Sequence, residues 1–280
     1  LINNDIIFKV ENLEFSYPDS DKILDKLNFT VYAGEALSIL GSNGCGKSTL
    51  LKIFSGLLSP TAGSFSAFGE IVSAQMLQRD EFAMNYHRQI GFIFQDSDVQ
   101  LFCNSVTEEL AFGLLQLNYS TNEIKQRIAE IAQLLNIEHL LNKTPYKLSG
   151  GEKKKVAIAA VLLLNPSVLI LDEPTNDLDI ETLELLEDLL AEYQATLLLV
   201  SHDRRFIDNT VTHSWYFEGD GRITEYVGGY SDLMALRQQM KPQVAAVKSK
   251  KPAEDERPQP MPRRSVRTPS FMLSIAVWKR

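Results

Sequence analysis

β-branched, aliphatic and aromatic residues gather in short runs along the chain: Ile6–Val10, Ala36–Leu40, Ile90–Phe94, Val168–Leu171 and Thr196–Val200. Runs of this length bounded by turn formers predict buried strands. Between them the period lengthens. Ser120 and Glu123 make a capping-box signature, and Ile124, Ile128, Ile131, Ala132 and Leu135 share one helical face. That spacing predicts an amphipathic helix over about 121–135, part of a helical subdomain inserted at about 100–165. Strands alternating with helices predict an α/β sheet. From Lys241 the periodicity stops and Pro242, Pro252, Pro258, Pro260, Pro262 and Pro269 stand among Lys and Arg. The expected organisation is a folded domain over 1–240 followed by a disordered basic tail over 241–280.

With 44% hydrophobic and 23% charged residues, the chain has enough apolar material for a large core. No apolar run approaches the roughly 20 residues that span a bilayer, and the opening residues carry no basic n-region or cleavage site. A cytoplasmic protein is expected. The net charge of −8 is unevenly spread, with 18 basic against 33 acidic residues in 1–240 and 10 against 3 in the tail. An acidic domain argues against a broad nucleic-acid groove on the domain itself, whereas the tail has the charge of an arm for RNA or anionic lipid. The two cysteines, Cys45 and Cys103, fall in segments read as loops, and no disulfide is expected.

The sharpest chemistry lies after Ala36–Leu40. Gly41-Ser42-Asn43-Gly44-Cys45-Gly46-Lys47-Ser48 has the P-loop spacing, and Thr49, Leu50, Leu51 and Ile53 continue it as a helix. Glycines let backbone N–H groups converge on phosphate oxygens at a helix N-terminus. Lys47 supplies a charge to the β and γ phosphates, and Ser48 is the expected Mg²⁺ ligand, so ATP with Mg²⁺ is the expected pair. Val168–Leu171 runs into Asp172 and Glu173. Two acids at the carboxyl end of a parallel strand stand where α/β ligands bind, Asp172 to hold Mg²⁺ and Glu173 to act as general base on the attacking water.

Over about residues 5–235 these motifs resemble the ABC ATPases. Leu148-Ser149-Gly150-Gly151-Glu152 is similar to that family's signature and stands in the expected order before Asp172 and Glu173. The resemblance implies a P-loop NTPase core with a parallel sheet and an inserted helical signature subdomain. It implies adenine stacking for Tyr17, contact with Mg²⁺ and the attacking water for Gln95, a D-loop at Asn176–Asp179, and a γ-phosphate switch at His202. Ser149, Gly150 and Gly151, opening the helix Lys153–Leu164, form an anion site. In this family that site serves the nucleotide of a second ATPase subunit packed head to tail, so a homo- or heterodimer is implied.

The subfamily is divided. Phe94–Phe102, Val106–Gly113 and Leu148–Ala160 resemble the cobalt and energy-coupling-factor importers, which implies a transmembrane partner and a place at the inner face of the cell membrane. Asn176–Leu190, Val200–Phe206 and Phe217–Tyr230 resemble the ABC-F proteins that act on ribosomes, with an apparent seam near Pro174–Asn176. The single cassette and the Gln95–Gly113 segment weigh towards an importer, with a ribosome- or RNA-associated ATPase as the alternative.

Overall fold

The computed structural model describes residues 5–193, 195–219 and 222–247, and residues up to Gln239 form one compact unit. In chain order the elements are β1 (Ile6–Ser16), β2 (Lys22–Tyr32), β3 (Ala36–Leu40), α1 (Lys47–Phe54), β4 (Ala62–Ala67), β5 (Glu70–Ile71), α2 (Ala74–Leu77), α3 (Asp80–Gln89) and β6 (Ile90–Ile93). The helical segment α4 (Val106–Gln116), α5 (Thr121–Leu134) and α6 (Gly150–Leu162) follows. The chain then returns through β7 (Val168–Asp172), α7 (Ile180–Glu192), β8 (Thr196–Val200), α8 (Arg204–Thr210), β9 (His213–Gly219), β10 (Arg222–Val227) and α9 (Tyr230–Val247). Helix α9 runs on to Val247, past the boundary expected at 240 and through Pro242. The rest of the expected tail, from 248, lies outside the described residues.

Two sheets organise the unit. The central one has the order β10-β9-β3-β8-β7-β6, in which only β10 is antiparallel to its neighbour. The smaller one, β2-β1-β4-β5, is antiparallel throughout. Its strand β1 begins with the run Ile6–Val10, but only alternate residues such as Phe8 and Val10 are buried, as expected where one sheet face meets water. Strands β7 and β8 are buried at every position. Val168, Ile170, Leu198 and Val200 face a core shared with α1 and the small sheet, containing Phe8, Phe54, Phe65 and Trp215. Leu169, Leu171, Leu197 and Leu199 face the helical core of Val156, Ala159, Leu186 and Phe206. A strand covered on both sides has no polar face to show, hence its continuous apolar run.

Side-chain caps set the helix starts that matter for the site. Ser120–Glu123 closes a capping box on α5 and Ser149–Glu152 another on α6, while Ser105, Asp179 and Asp203 cap α4, α7 and α8. Each is worth about 1 kcal/mol. The buried Glu109 carboxylate accepts the N–H groups of Phe102 and Cys103 at 2.9 and 2.8 Å, fixing the loop before α4.

Candidate functional site

Strand β3 delivers the chain into the phosphate loop, and α1 starts at Lys47. The turn needs glycine: Gly46 has φ 105°, and a Cβ there would come within 2.7 Å of the Leu24 side chain from β2. Lys47 is 9% exposed, and its ammonium donates to the Gly41 and Ser42 carbonyls at 3.1 and 3.0 Å. It is thereby curled over the loop whose N–H groups it would share a phosphate with. The next residue, Ser48, donates through Oγ to Asp172 Oδ1 at 3.1 Å, across the gap between α1 and the end of β7. Burial raises the Asp172 pKa, and the Ser48 hydrogen bond with Lys52, Lys47 and Lys154 opposes the shift.

Glu173 leaves β7 with φ 48°, a left-handed conformation costly for a side chain of its kind, on the order of 1–3 kcal/mol. Its N–H donates to Val200 O at 2.8 Å, stitching the end of β7 to the end of β8. This turn aims the carboxylate at His202, whose backbone N–H donates to Oε2 at 3.2 Å and whose Nε2 stands 3.3 Å from Oε1. Glu173 is 5% exposed while the His202 side chain is 67% exposed, so the acid is buried and its partner reaches outward. Burial raises the Glu173 pKa and the interaction with His202 lowers it. A buried carboxylate of raised basicity, held by a histidine, is suited to accept a proton from water.

One cleft of about 530 Å³ gathers most of the expected residues: Asn43, Gly44, Gly46, Lys47, Ser48, Thr49, Gln95, Asp172, Glu173 and His202 line it. The volume lies within the range of nucleotide-sized sites. Gly41 and Ser42 take part through the carbonyls that hold Lys47, and Cys45 sits half-buried between them and Gly46. Tyr17 is at the periphery, 37% exposed, with its hydroxyl 3.4 Å from Thr49 Oγ1 and its ring edge-on to Phe15. Ile23 and Asn176 also line the cleft, although neither is among the expected binding residues; Asn176 was identifiable only as the first residue of the D-loop.

Ser149, Gly150 and Gly151 do not line this cleft. Ser149 and Gly150 are exposed at the start of α6, where Glu152 Oε2 accepts the Ser149 N–H at 2.8 Å. Behind them lies the D-loop. A Cβ on Gly151 would come within 2.6 Å of the Asp177 carbonyl, and one on Gly150 within 3.2 Å of the Asp177 carboxyl carbon. The close approach to the Asp177 backbone requires glycine at 151, and the contacts together tie the signature to residues that follow Glu173 in the chain.

A P-loop, a strand-end acid pair and a histidine at the carboxyl ends of adjacent parallel strands define a nucleoside-triphosphate hydrolase core. The family described as "ABC transporter" matches residues 24–176, and the chain belongs to that family as one of its ATPases. It is 41% identical over 223 residues to a putative ABC transporter ATP-binding protein of Methanosarcina acetivorans, covering 78% of this chain and 81% of the relative. It is 42% identical over 218 residues to the nickel import ATP-binding protein LarO of Lactiplantibacillus plantarum, covering 74% and 90%. Among solved structures, cbiO1 of Clostridium perfringens, part of the ABC transporter complex cbiONQ, superposes with a TM-score of 0.69 at 33% identity, covering 87% of this chain and 98% of that one. A dimeric ATP-binding cassette in a post-hydrolysis state with ADP and Pi superposes with a TM-score of 0.68 at 28% identity, covering 79% and 98%. An alignment of 223 residues passes residue 176 wherever it starts, so similarity to a transport ATPase continues beyond the seam near Pro174–Asn176. That continuity favours the transporter branch of the divided resemblance.

Proposed function

We propose that this chain binds and hydrolyses MgATP to energise an importer of the nickel and cobalt kind, as one of two ATPase subunits seated on a transmembrane partner at the inner face of the cell membrane. The observation that carries the reading is the convergence in one cleft of Lys47, the Ser48–Asp172 pair at 3.1 Å and the Glu173–His202 pair at 3.3 Å. The Ser48 hydroxyl and the Asp172 carboxylate are adjacent hard oxygen donors of the type Mg²⁺ takes, with the Gln95 amide on the same cleft. When bound there, the ion neutralises charge on the β and γ phosphate oxygens. Lys47 leaves the Gly41 and Ser42 carbonyls for phosphate, and Tyr17 covers the adenine. Glu173 accepts the proton of the attacking water as its oxygen bonds to the γ phosphorus and the bond to the ADP oxygen breaks. His202 holds the Glu173 carboxylate and meets the γ phosphate. The signature, exposed on α6, closes on the nucleotide of the second subunit.

Support for the membrane partner comes from the loop after Gln95, where Val99 and Phe102 are 61% and 67% exposed and the Phe102 ring stands edge-on to Phe112. Among the described residues no helix is long and apolar enough to cross a membrane. The relatives named for nickel import support the substrate class. The test is co-expression with the neighbouring membrane subunits, followed by vesicle uptake of labelled Ni²⁺ and Co²⁺. ATP-dependent uptake lost in Glu173→Gln supports the reading; a chain that sediments with ribosomes at physiological salt and never with membranes overturns it in favour of the ribosomal alternative.

A further inference from the structure

Lys154 is the most deeply buried charged residue among those described, 1% exposed, and nothing in the reading above uses it. It lies on α6, five residues past the signature serine, yet its ammonium donates to the backbone carbonyls of Phe94 and Gln95, each at 2.9 Å. Asp177, Asp172, Asp96 and Glu173 face its charge from the D-loop, the end of β7 and the loop after β6. Burial lowers its pKa and these four acids oppose the shift. An ammonium is costly to bury, and two carbonyl acceptors within a ring of acids offset that cost. Its neighbours reinforce the join: Lys153 pairs with Asp98, and the Gln100 side chain accepts from Phe94 N at 3.2 Å and donates to Ala157 O at 3.4 Å.

We propose that Lys154 is a positioning residue for hydrolysis: by gripping the carbonyls of Phe94 and Gln95 from α6, it sets the backbone from which the Gln95 side chain enters the cleft. The assignment rests on the reading of Gln95 as a residue that touches the attacking water. The loop leaves the sheet at Ile93, and Gln95 is exposed beside the cleft. Its reach therefore depends on where its backbone is pinned. Removing the ammonium leaves two carbonyls without their donor and frees Gln95 to drift by an ångström or so, a displacement that costs up to about 10²-fold in rate when it misaligns a reacting group.

The experiment compares kcat and KM for ATP in Lys154→Met, Lys154→Arg, Gln95→Ala and the double variant Gln95→Ala/Lys154→Met. The expected pattern is a fall in kcat of about tenfold or more in Lys154→Met with KM for ATP nearly unchanged, most of it restored in Lys154→Arg, and no further fall in the double variant below Gln95→Ala. Should Lys154→Met fail to fold, Lys154→Gln replaces it: its amide satisfies a buried polar site but is one bond too short to hold both carbonyls in place, so kcat should still fall and Lys154→Gln with wild-type kcat overturns the proposal. Wild-type kcat in Lys154→Met beside an impaired Gln95→Ala overturns the positioning role and leaves the site reading standing. Wild-type kcat in Gln95→Ala overturns both. Additive losses in the double variant, or a KM that rises as kcat falls, show a structural role and overturn the proposal.

Discussion

The phosphate loop and the signature are both glycine-rich turns opening a helix, but the protein finishes one and leaves the other open. Around α1 the partners come from the same chain: Lys47 is held by Gly41 and Ser42, Ser48 by Asp172, and Glu173 by His202. Around α6 the partners lie behind the turn, with Asp177 packed against Gly150 and Gly151, and the outward face of Ser149 and Gly150 is exposed. On the reading proposed above, a chain built this way carries two halves of different sites, with the catalytic chemistry in the first; Ser149, Gly150 and Gly151 of the second do not line the cleft of the first.

The largest expected effect tests the first half. Glu173→Gln keeps the shape and the contact with His202 but cannot accept the proton, so turnover should fall roughly 10²-fold or more while ATP binding remains. ATPase assays and nucleotide-binding titrations check this, and chromatography with ATP should show dimers accumulating. Wild-type turnover in this variant would remove Glu173 from the general-base role.

Mixing variants breaks the comparison directly. Lys47→Ala disables the first half, and Ser149→Phe blocks the second at a folding cost of about 1 kcal/mol for the lost cap. Each alone should be inactive in hydrolysis. Mixed, the two chains form a pair in which one site combines an intact phosphate loop with an intact signature, so activity should return to a substantial fraction of wild type. A mixture as inactive as its components would show that the signature does not serve a second subunit's nucleotide.

The same contrast governs what was legible in the sequence. The phosphate loop, Asp172 and Glu173 stand beside strands buried on both faces, whose apolar runs announce them; β3, β7 and β8 lie where Ala36–Leu40, Val168–Leu171 and Thr196–Val200 predict. Strands β2, β4 and β5 gave no such run, because the antiparallel sheet buries few of their residues: Leu24, Leu27 and Val31 of β2, Phe65 and Ala67 of β4, and neither residue of β5. The capping pairs Ser120–Glu123 and Ser149–Glu152 were readable because capping is a local matter of a few residues. Lys154 was not. In Lys153-Lys154-Lys155 it has the composition of a solvated helix face, and only the tertiary path of the loop after β6 brings two carbonyls over it.

The exposed apolar loop provides a third, narrower test on the helical side. Phe102→Asp places a charge on a residue that is already 67% exposed, so folding and ATP binding should change little. Association with a membrane subunit should fall by about 2 kcal/mol or more if the ring is a central anchor. Co-purification from detergent extracts measures this, and unchanged recovery of the membrane partner would take Phe102 out of the interface.

The smallest expected effect separates the phosphate loop from the loop before α4 by their thiols. Cys45 lies in the phosphate loop and Cys103 in the loop held by Glu109 before α4. Burial first, and then the Glu109 charge and hydrogen bond, push the Cys103 thiol up to about 11. At pH 8 roughly one Cys103 in 10³ is then thiolate, the form that alkylates. Labelling of Cys103 by iodoacetamide should be slow and indifferent to MgATP, whereas labelling of Cys45 should be blocked by it. Glu109→Gln removes a negative charge beside Cys103, which favours the thiolate, lowers the pKa and should speed labelling several-fold. Peptide mass spectrometry of timed reactions reads both sites at once. Protection of Cys103 by MgATP with none at Cys45 would place the nucleotide away from the phosphate loop.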